Sequence, residues 1–164
     1  MQVPTYKELL DAGAHFGHQK SKWNPKMAEY IFMERRGIHI IDLNQTSDCL
    51  GRACAAARQL AKSGKKIMFV ATKKQAREIV ANAARSVNMP YVTERWLGGM
   101  MTNFSTIRRS VKKMQNIENM LNDGSLSSVT KKERLTLTRE KDKLEKVLGG
   151  IANLNRLPQA VFII

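Results

Sequence analysis

The chain contains few acidic residues, cysteines, prolines and aromatic residues, and it has no long apolar run. Its 164 residues include 14 Asp and Glu, two Cys, four Pro and 6% aromatic residues. No segment approaches the ~18 uninterrupted apolar residues of a membrane-spanning helix. The first residues, Met1 to Tyr6, lack the basic start and apolar run of a signal peptide. We therefore expect a cytoplasmic protein that does not associate with membranes.

The two cysteines are poorly placed for joint chemistry. Cys49 and Cys54 lie in a predicted helix, where a separation of five residues turns their side chains about 140° away from each other. Such a pair does not easily share a metal or form a local disulfide. We expect small buried cysteines in a reducing compartment.

Basic residues, by contrast, are abundant. Lys and Arg number 28 against 14 acidic residues, which gives a formal net charge of +14 and a pI of about 10.1. Positive charges in such a surplus repel each other, and this repulsion is usually relieved by a polyanion, either a phosphate backbone or an anionic membrane surface. With 43% hydrophobic residues the chain can also bury a core, and its length suits one domain with an appendage. The composition favours a nucleic-acid-binding protein.

The order of the apolar segments predicts an α/β fold. Thr5 and Glu8 match a capping box that starts a short helix, and two apolar segments on either side of Gly37 predict a β-hairpin. Predicted strands and helices then alternate, with strands at 67–71, 90–93 and 160–164, and with helices at 46–62 and 72–87, the second of them capped by Thr72. Continuous apolar strands separated by amphipathic helices imply a parallel sheet covered on both faces.

Residues 105–148 break this alternation. Each half of the segment carries a narrow apolar stripe, and the second stripe is interrupted by the polar Lys141. Narrow stripes pair with each other, whereas a helix that covers a sheet usually shows a wider apolar face. A turn at 122–125 and a capping box at Thr130 and Glu133 separate the halves. We predict an antiparallel helical hairpin about 25 Å long, inserted at 105–148 into an α/β domain formed by 1–104 and 149–164. Two ordinary cover helices are the alternative.

Four cations lie near the start of the first hairpin helix, after an uncharged stretch at 96–107: Arg108, Arg109, Lys112 and Lys113. Cations in the first turns of an exposed helix are destabilising by roughly 0.3–1 kcal/mol each, because the helix N-terminus carries partial positive charge. The simplest explanation for their placement is that they contact an anion outside the helix. The alternative is a solvated face, which charge runs often form.

A second basic helix start follows the strand at 67–71. Ligands of open parallel sheets bind beyond the carboxyl ends of the strands, and helix N-termini bind phosphate through free backbone amides. Lys73, Lys74 and Arg77 add charge at this position. An exposed helix start that happens to be basic is the alternative.

Signatures of nucleotide-dependent enzymes are missing. Residues 63–66 lack the upstream glycine and the trailing Ser or Thr of a phosphate-binding loop, and the chain contains no G-x-G-x-x-G motif. Between residues 45 and 98 the carboxylates are Asp48, Glu78 and Glu94, a thin supply for acid–base or magnesium chemistry. We expect neither enzymatic activity nor a cofactor.

The segment at 15–27 mixes aromatic, amide and basic side chains. His15 and His18 could suggest a metal pair, but no third ligand of the right type lies close in sequence, so no metal site is predicted and a distant ligand is left open. The mixture suits RNA contact or a partner surface better. The alternative is a loop that packs its aromatic residues on the core. The candidate RNA contacts are Lys20, Lys22, Trp23 and Lys26.

Six motifs spread along the chain carry a family resemblance: Leu9–His18, Trp23–Met27, Gly37–Leu43, Phe69–Ala76, Arg95–Met100 and Leu157–Pro158. In this order they closely resemble the bacterial small-subunit ribosomal protein S2 family. The resemblance implies a three-layer α/β/α sandwich with a parallel, flavodoxin-like sheet and a protruding coiled-coil hairpin. It also implies a non-catalytic RNA-binding protein, located on the back of the small subunit between head and body, that helps to recruit the messenger-binding ribosomal protein S1.

The expected function is that of a structural constituent of the small ribosomal subunit in the cytoplasm. Its expected partners are small-subunit ribosomal RNA and other small-subunit proteins, and it is not expected to form a homo-oligomer. The alternative is a phosphate-ligand-binding α/β enzyme with its site at Thr72–Arg77. Because the family normally continues beyond a strand like 160–164 into further helix-strand units, we expect a sheet that is incomplete at its C-terminus. The predicted RNA contacts are Lys20, Lys22, Trp23, Lys26, Lys73, Lys74, Arg77, Arg95, Trp96, Arg108, Arg109, Lys112, Lys113, Lys131 and Lys132.

Overall fold

The chain divides into two compact units, Met1–Lys62 and Ser63–Ile164. The structure is a computed structural model that describes residues 3–123 and 130–164. Within these described ranges, no helix has the length and apolar character needed to cross a membrane.

The first unit contains a short helix, a three-stranded antiparallel sheet and a long helix. Its elements are α1 (Tyr6–Asp11), β1 (Phe16–Gln19), a 3-10 turn (Pro25–Tyr30), β2 (Ile31–Arg35), β3 (Ile38–Ile41) and α2 (Leu43–Lys62). Strand β3 is central and pairs antiparallel with both β1 and β2. The capping box predicted for α1 is confirmed, because Thr5 Oγ1 accepts from Glu8 N at 3.3 Å and Glu8 Oε2 accepts from Thr5 N at 2.7 Å.

The predicted β-hairpin around Gly37 is also confirmed. Strands β2 and β3 pair in antiparallel register up to Arg35 and Ile38, so that Arg36 and Gly37 form a two-residue turn. Both turn residues have positive φ, 53° at Arg36 and 74° at Gly37, as a type I′ turn requires. Glycine adopts this conformation without steric cost, whereas Arg36 adopts it with local strain.

The second unit contains the parallel sheet. Its elements are β4 (Ile67–Val70), α3 (Lys74–Ser86), β5 (Tyr91–Val92), α4 (Phe104–Asn122), α5 (Lys131–Leu148), a 3-10 turn (Gly149–Ile151) and β6 (Ala160–Ile163). Strand β4 is central and parallel to both neighbours, with Phe69 opposite Tyr91 on one side and Phe162 on the other. A mixed α/β fold with a parallel sheet is therefore confirmed.

The core of the second unit joins the sheet to helices α4 and α5. Met68 and Val92 of the sheet belong to the same buried cluster as Val111 of α4 and Leu148 of α5. The stripe predicted for the first hairpin helix consists of Ile107, Val111, Met114, Ile117 and Leu121; the first four are buried and Leu121 is half-buried. Helix α4 packs against α5. The capping box predicted at Thr130 and Glu133 is present. The turn predicted at 122–125 falls largely outside the described residues.

Three local predictions are wrong. Thr72 does not cap α3: the N-cap is Lys73, which makes no side-chain capping bond, and the helix begins at Lys74. Helix α2 begins at Leu43 and not at residue 46. Cys49 is exposed and Cys54 is half-buried, so the expectation of two buried cysteines is wrong; within this fully described helix only Leu43 is buried.

Candidate nucleic-acid interface

The basic face of α4 begins in the second turn of the helix. Asn103 is the N-cap and Phe104 the first helical residue, so Arg108 and Arg109 lie in the second turn. Because the helix-dipole effect falls off within the first turn, the electrostatic penalty on these cations is smaller than expected. Their role therefore depends on whether protein groups already neutralise them.

Two of the four α4 cations have protein partners. Arg108 donates from Nη1 to Ala152 O at 3.1 Å and from Nη2 to Asn155 Oδ1 at 2.9 Å, which fixes α4 to the segment that leads into β6. Lys113 forms an ion pair with Glu140 of α5. Each contact places part of the cation's charge against protein acceptors.

The other two α4 cations are Arg109 and Lys112. Both side chains are exposed. Within residues 3–123 and 130–164, neither side chain has an ion-pair or hydrogen-bond partner. A free cation on a rigid helix can contact a phosphate without first breaking a protein contact. Arg109 and Lys112 are therefore the members of this face best suited to bind RNA.

The cations at the start of α3 also fall into two groups, those that face solvent and one that contacts a protein acceptor. Lys73 and Lys74 are exposed. Arg77 is half-buried and donates from Nη1 to Glu94 Oε2 at 2.9 Å; Glu94 lies two residues after β5. Lys146 of α5 approaches the same carboxylate at 3.9 Å. The Arg77 charge is thus compensated inside the protein, and Lys73 and Lys74 carry the open charge at the carboxyl edge of the sheet.

Further predicted contacts in the second unit lie on exposed positions. Arg95 and Trp96 follow Glu94, and the Trp96 side chain is 38% exposed. Lys131 and Lys132 lie in the first turn of α5, between Thr130 and Glu133 of its capping box. An exposed indole can stack on a base, and exposed lysines can reach phosphates.

In the first unit, the predicted contacts have different surroundings. Lys20 forms an ion pair with Glu34 at 2.9 Å. Trp23 is half-buried, and its ring lies 4.8 Å from the ring of His39, so one part of the indole is used in packing. Lys22 and Lys26 are exposed. The alternative of a loop that packs its aromatic residues on the core therefore holds for Trp23 but not for Phe16, which lies in β1 and is 62% exposed. The lysines of this segment face solvent, as RNA contact requires.

The histidines of this unit do not form a recognisable metal centre. Among the described residues, no group of three or more His, Cys, Asp or Glu side chains is arranged to hold a metal ion. His39 is 9% exposed, and both of its ring nitrogens are buried without a described hydrogen-bond partner. The Trp23 contact shields this ring from one side.

The sequence did not predict a further basic cluster, which is formed by Lys65, Lys66, Arg85 and Arg156. These residues line a cavity of about 810 Å³ at the amino-terminal ends of the parallel strands. The signal in the sequence was weak, because each cation or pair stands alone in its own segment. Only the strand order brings the segments together.

Comparisons with known proteins agree with the resemblance carried by the sequence motifs. The family model for ribosomal protein S2 matches residues 9–164. The small ribosomal subunit protein uS2 of Cytophaga hutchinsonii is 63% identical over 159 residues, which cover 97% of this chain and 63% of that protein. The protein of the same name from Bacteroides thetaiotaomicron is 58% identical over 164 residues, which cover 100% of this chain and 59% of that protein.

The chain spans about three fifths of the length of the curated relatives that it matches. The family match nevertheless covers nearly all of the chain, and it includes all six motifs that carried the resemblance. The chain therefore belongs to the ribosomal protein S2 family, a family of ribosomal proteins and not of enzymes.

Proposed function

We propose that this protein is a structural component of the small ribosomal subunit in the cytoplasm, where it binds ribosomal RNA and neighbouring ribosomal proteins. Its relatives carry the name small ribosomal subunit protein, and its formal net charge of +14 suits a phosphate-rich partner. The observation that carries the proposal is the pair of exposed, unpartnered cations on α4, Arg109 and Lys112, within the described part of a chain from this family.

We propose that the remaining predicted contacts support RNA binding in two ways. Exposed cations without a described ion pair bind phosphates directly, and they are Lys22, Lys26, Lys73, Lys74, Arg95, Lys131 and Lys132. Lys20, Arg77, Arg108 and Lys113 already contact protein acceptors. We propose that this second group mainly orients the surface, while Trp23 and Trp96 offer aromatic contacts to bases.

The finer architecture belongs to the same proposal. Helices α4 and α5 form an antiparallel coiled-coil hairpin inserted at 105–148, projecting from a three-layer sandwich with a flavodoxin-like sheet, made of 1–104 and 149–164. Two partners of α4 support the antiparallel direction: Arg108, near the start of α4, contacts Asn155 beyond the end of α5, whereas Glu118, ten residues later in α4, lies 3.6 Å from Lys141 within α5. A projecting helical arm can reach RNA at a distance from the domain.

Recruitment of the messenger-binding ribosomal protein S1 is included because the resemblance to the family implies it. The protein acts in this role as a single copy within the subunit, without self-association. Small subunits assembled without this protein are expected to retain less S1 on a sucrose gradient, and addition of the purified protein is expected to restore it. Equal S1 content with and without the protein would remove this part of the proposal.

The alternative of a phosphate-ligand-binding enzyme at Thr72–Arg77 is set aside. The family is not one of enzymes. The Arg77 guanidinium, one of the three cations of that candidate site, is committed to Glu94.

The decisive experiment measures RNA affinity as a function of salt. Replacing Arg109 and Lys112 together by Gln removes two phosphate contacts, so the slope of log affinity against log salt is expected to flatten by roughly 1.4 to 1.8. The matched control replaces Arg134 and Lys143, two exposed cations of α5 outside the predicted set, by Gln. Parallel lines for the parent and the Arg109–Lys112 variant would show that this face is only solvated.

A further inference from the structure

A cavity of about 810 Å³ lies at the amino-terminal ends of the three parallel strands. Lys66, Pro90 and Gln159, which directly precede β4, β5 and β6, all line it. Gln159 N donates to Lys66 O at 2.9 Å. The cavity is therefore built into the framework of the second unit, at the edge of the sheet opposite to Lys73 and Lys74.

The charged residues of this cavity carry one sign only. Its four cations are Lys65, Lys66, Arg85 and Arg156, and no Asp or Glu is among its lining residues. Within the described ranges, none of the four forms an ion pair with a carboxylate. Uncompensated like charges around one cavity repel each other, and an external anion relieves that repulsion.

Two of the cations are held in position by the protein. Lys66 Nζ donates to Asn88 O at 2.7 Å, where Asn88 has a φ of 51° in the left-handed region. Arg85 Nε donates to the Tyr91 hydroxyl at 2.9 Å, and its guanidinium carbon lies 5.3 Å from the Tyr91 ring centroid. Because these side chains are already ordered, they lose less conformational entropy when a ligand binds.

The other lining residues narrow the class of ligand. The Tyr91 ring is in contact with Arg85, and a Cβ built at Gly150 would lie 2.8 Å from its Cδ2, so little of this ring remains for a base to stack on. No carboxylate is among the lining residues, so the cavity offers neither an anionic ligand for Mg²⁺ nor the acidic side chain that typically holds the ribose of a dinucleotide. The chemistry that remains is sequence-independent contact with phosphate.

We propose that this cavity binds the sugar–phosphate backbone of a ribosomal RNA strand, with Lys65, Lys66, Arg85 and Arg156 as phosphate contacts and without reading bases. The inference rests on the proposed function and adds a second RNA-binding edge, on the side of the sheet that sequence reasoning did not select. It predicts that the loss of these charges weakens binding to all RNA sequences to a similar extent.

The test uses the purified protein and a transcript of small-subunit ribosomal RNA. Lys65 and Arg156 are replaced together by Gln, because neither side chain makes a described hydrogen bond that the fold would lose. Two lost phosphate contacts are expected to flatten the salt slope by roughly 1.4 to 1.8 and to weaken binding roughly 10- to 30-fold near ~150 mM salt. The matched control replaces Arg58 and Lys62, two exposed cations of α2, by Gln and is expected to keep the parent slope.

The outcomes separate this inference from the proposed function. If the parent shows no salt-dependent RNA binding, the proposed function fails and this inference fails with it. If the Arg109–Lys112 variant loses affinity while the Lys65–Arg156 variant keeps the parent affinity and slope, the proposed function stands and the cavity inference is overturned.

A binding measurement with a mononucleotide tests whether the phosphate in the cavity belongs to RNA or to a small ligand. Saturable binding of AMP to the parent that is lost in the Lys65–Arg156 variant, with unchanged RNA binding, would overturn the RNA assignment in favour of a small ligand. Urea denaturation checks that the variant is folded. If it is not, Arg156→Gln alone is measured, for which a slope change of roughly 0.7 to 0.9 supports the inference and no change overturns it.

Discussion

Arg77 and Glu94 form an ion pair that joins the start of α3 to the segment after β5, with 2.9 Å between Nη1 and Oε2. The same guanidinium donates from Nε to Thr72 O at 3.1 Å and from Nη2 to Glu94 O at 3.4 Å. Both side chains are about 30% exposed. The contact therefore uses a cation at the carboxyl edge of the sheet for structure, while its neighbours Lys73 and Lys74 remain in solvent.

Arg77→Gln and Lys74→Gln are expected to affect different properties, stability in the first case and RNA binding in the second. Arg77→Gln leaves Glu94 without its main partner and removes three hydrogen bonds, so we expect the free energy of unfolding to fall by about 1–2 kcal/mol, less than for a fully buried pair because solvent screens this one. Lys74→Gln is expected to leave stability unchanged and to weaken RNA binding. Urea denaturation and salt-dependent RNA binding measure the two effects, and a loss of stability in Lys74→Gln equal to that in Arg77→Gln would contradict the distinction.

Adjacent glycines in the 3-10 turn after α5 provide a matched test of packing. A Cβ at Gly150 would lie 2.2 Å from Tyr91 O, a backbone atom of β5 that cannot move without disturbing the sheet. Gly150→Ala is therefore expected to cost about 2–3 kcal/mol or more of unfolding free energy.

Gly149→Ala serves as the control. There a Cβ would meet Glu145 Cγ at 3.5 Å, an ordinary contact, and the φ of −55° suits alanine. We expect unchanged or slightly higher stability, by up to about 1 kcal/mol. Similar thermal transitions for the two alanine variants would refute the close approach of Gly150 to Tyr91.

Lys141 interrupts the apolar stripe of α5, and two carboxylates accommodate it. Its Nζ lies 3.1 Å from Glu145 and 3.6 Å from Glu118 of α4. Charge reversal with Lys141→Glu would place three carboxylates together, so we expect a lower urea midpoint than for Lys143→Glu, a reversal on an exposed position of the same helix. Equal midpoints would show that the ion pairs of Lys141 contribute nothing to stability.

The ion pairs of Lys141 also predict how the stability of the protein depends on pH in alkaline solution. The hydrogen bond from Lys141 to Glu145 raises the pKa of the lysine above its usual 10.5, with smaller contributions from Glu118. A raised folded-state pKa gives stability that is fully present below the unfolded value and is lost as the pH rises through the folded value. Between pH ~9 and ~12 we therefore expect the parent to lose more stability than Lys141→Met. Parallel stability curves for the two proteins over that range would contradict this prediction.

The β2–β3 turn contains a strained residue that substitution can relieve. Arg36 has a φ of 53° in a two-residue turn, a conformation that asparagine adopts at lower cost. We expect Arg36→Asn to raise the free energy of unfolding by about 0.5–1 kcal/mol, whereas Gly37→Ala, at a φ of 74°, lowers it by about 1 kcal/mol. Thermal denaturation of both variants provides the measurement, and a destabilised Arg36→Asn would show that the arginine side chain has a role of its own.

Local signals in the sequence were sufficient for most elements of the fold. Both capping boxes, the glycine in the hairpin turn and the buried stripe of α4 depend on residues that are close in sequence, so propensity and spacing reveal them. Helix boundaries were less accurate. Thr72 is a better capping residue by type than Lys73, yet the chain starts the helix one residue later.

The sequence by itself determined the α/β class, the excess of positive charge and the family, because composition, periodicity and ordered motifs need no long-range contact. Only the tertiary structure decided which cations remain available. The partners of Arg77, Lys113 and Arg108 lie 17, 27 and 47 positions away in sequence. The cavity at the amino-terminal ends of the strands likewise exists only because strand order β5-β4-β6 brings Lys65, Arg85 and Arg156 to one edge. Charge pairing and cavity formation depend on distances in space, and the pattern of residues along a chain does not specify those distances.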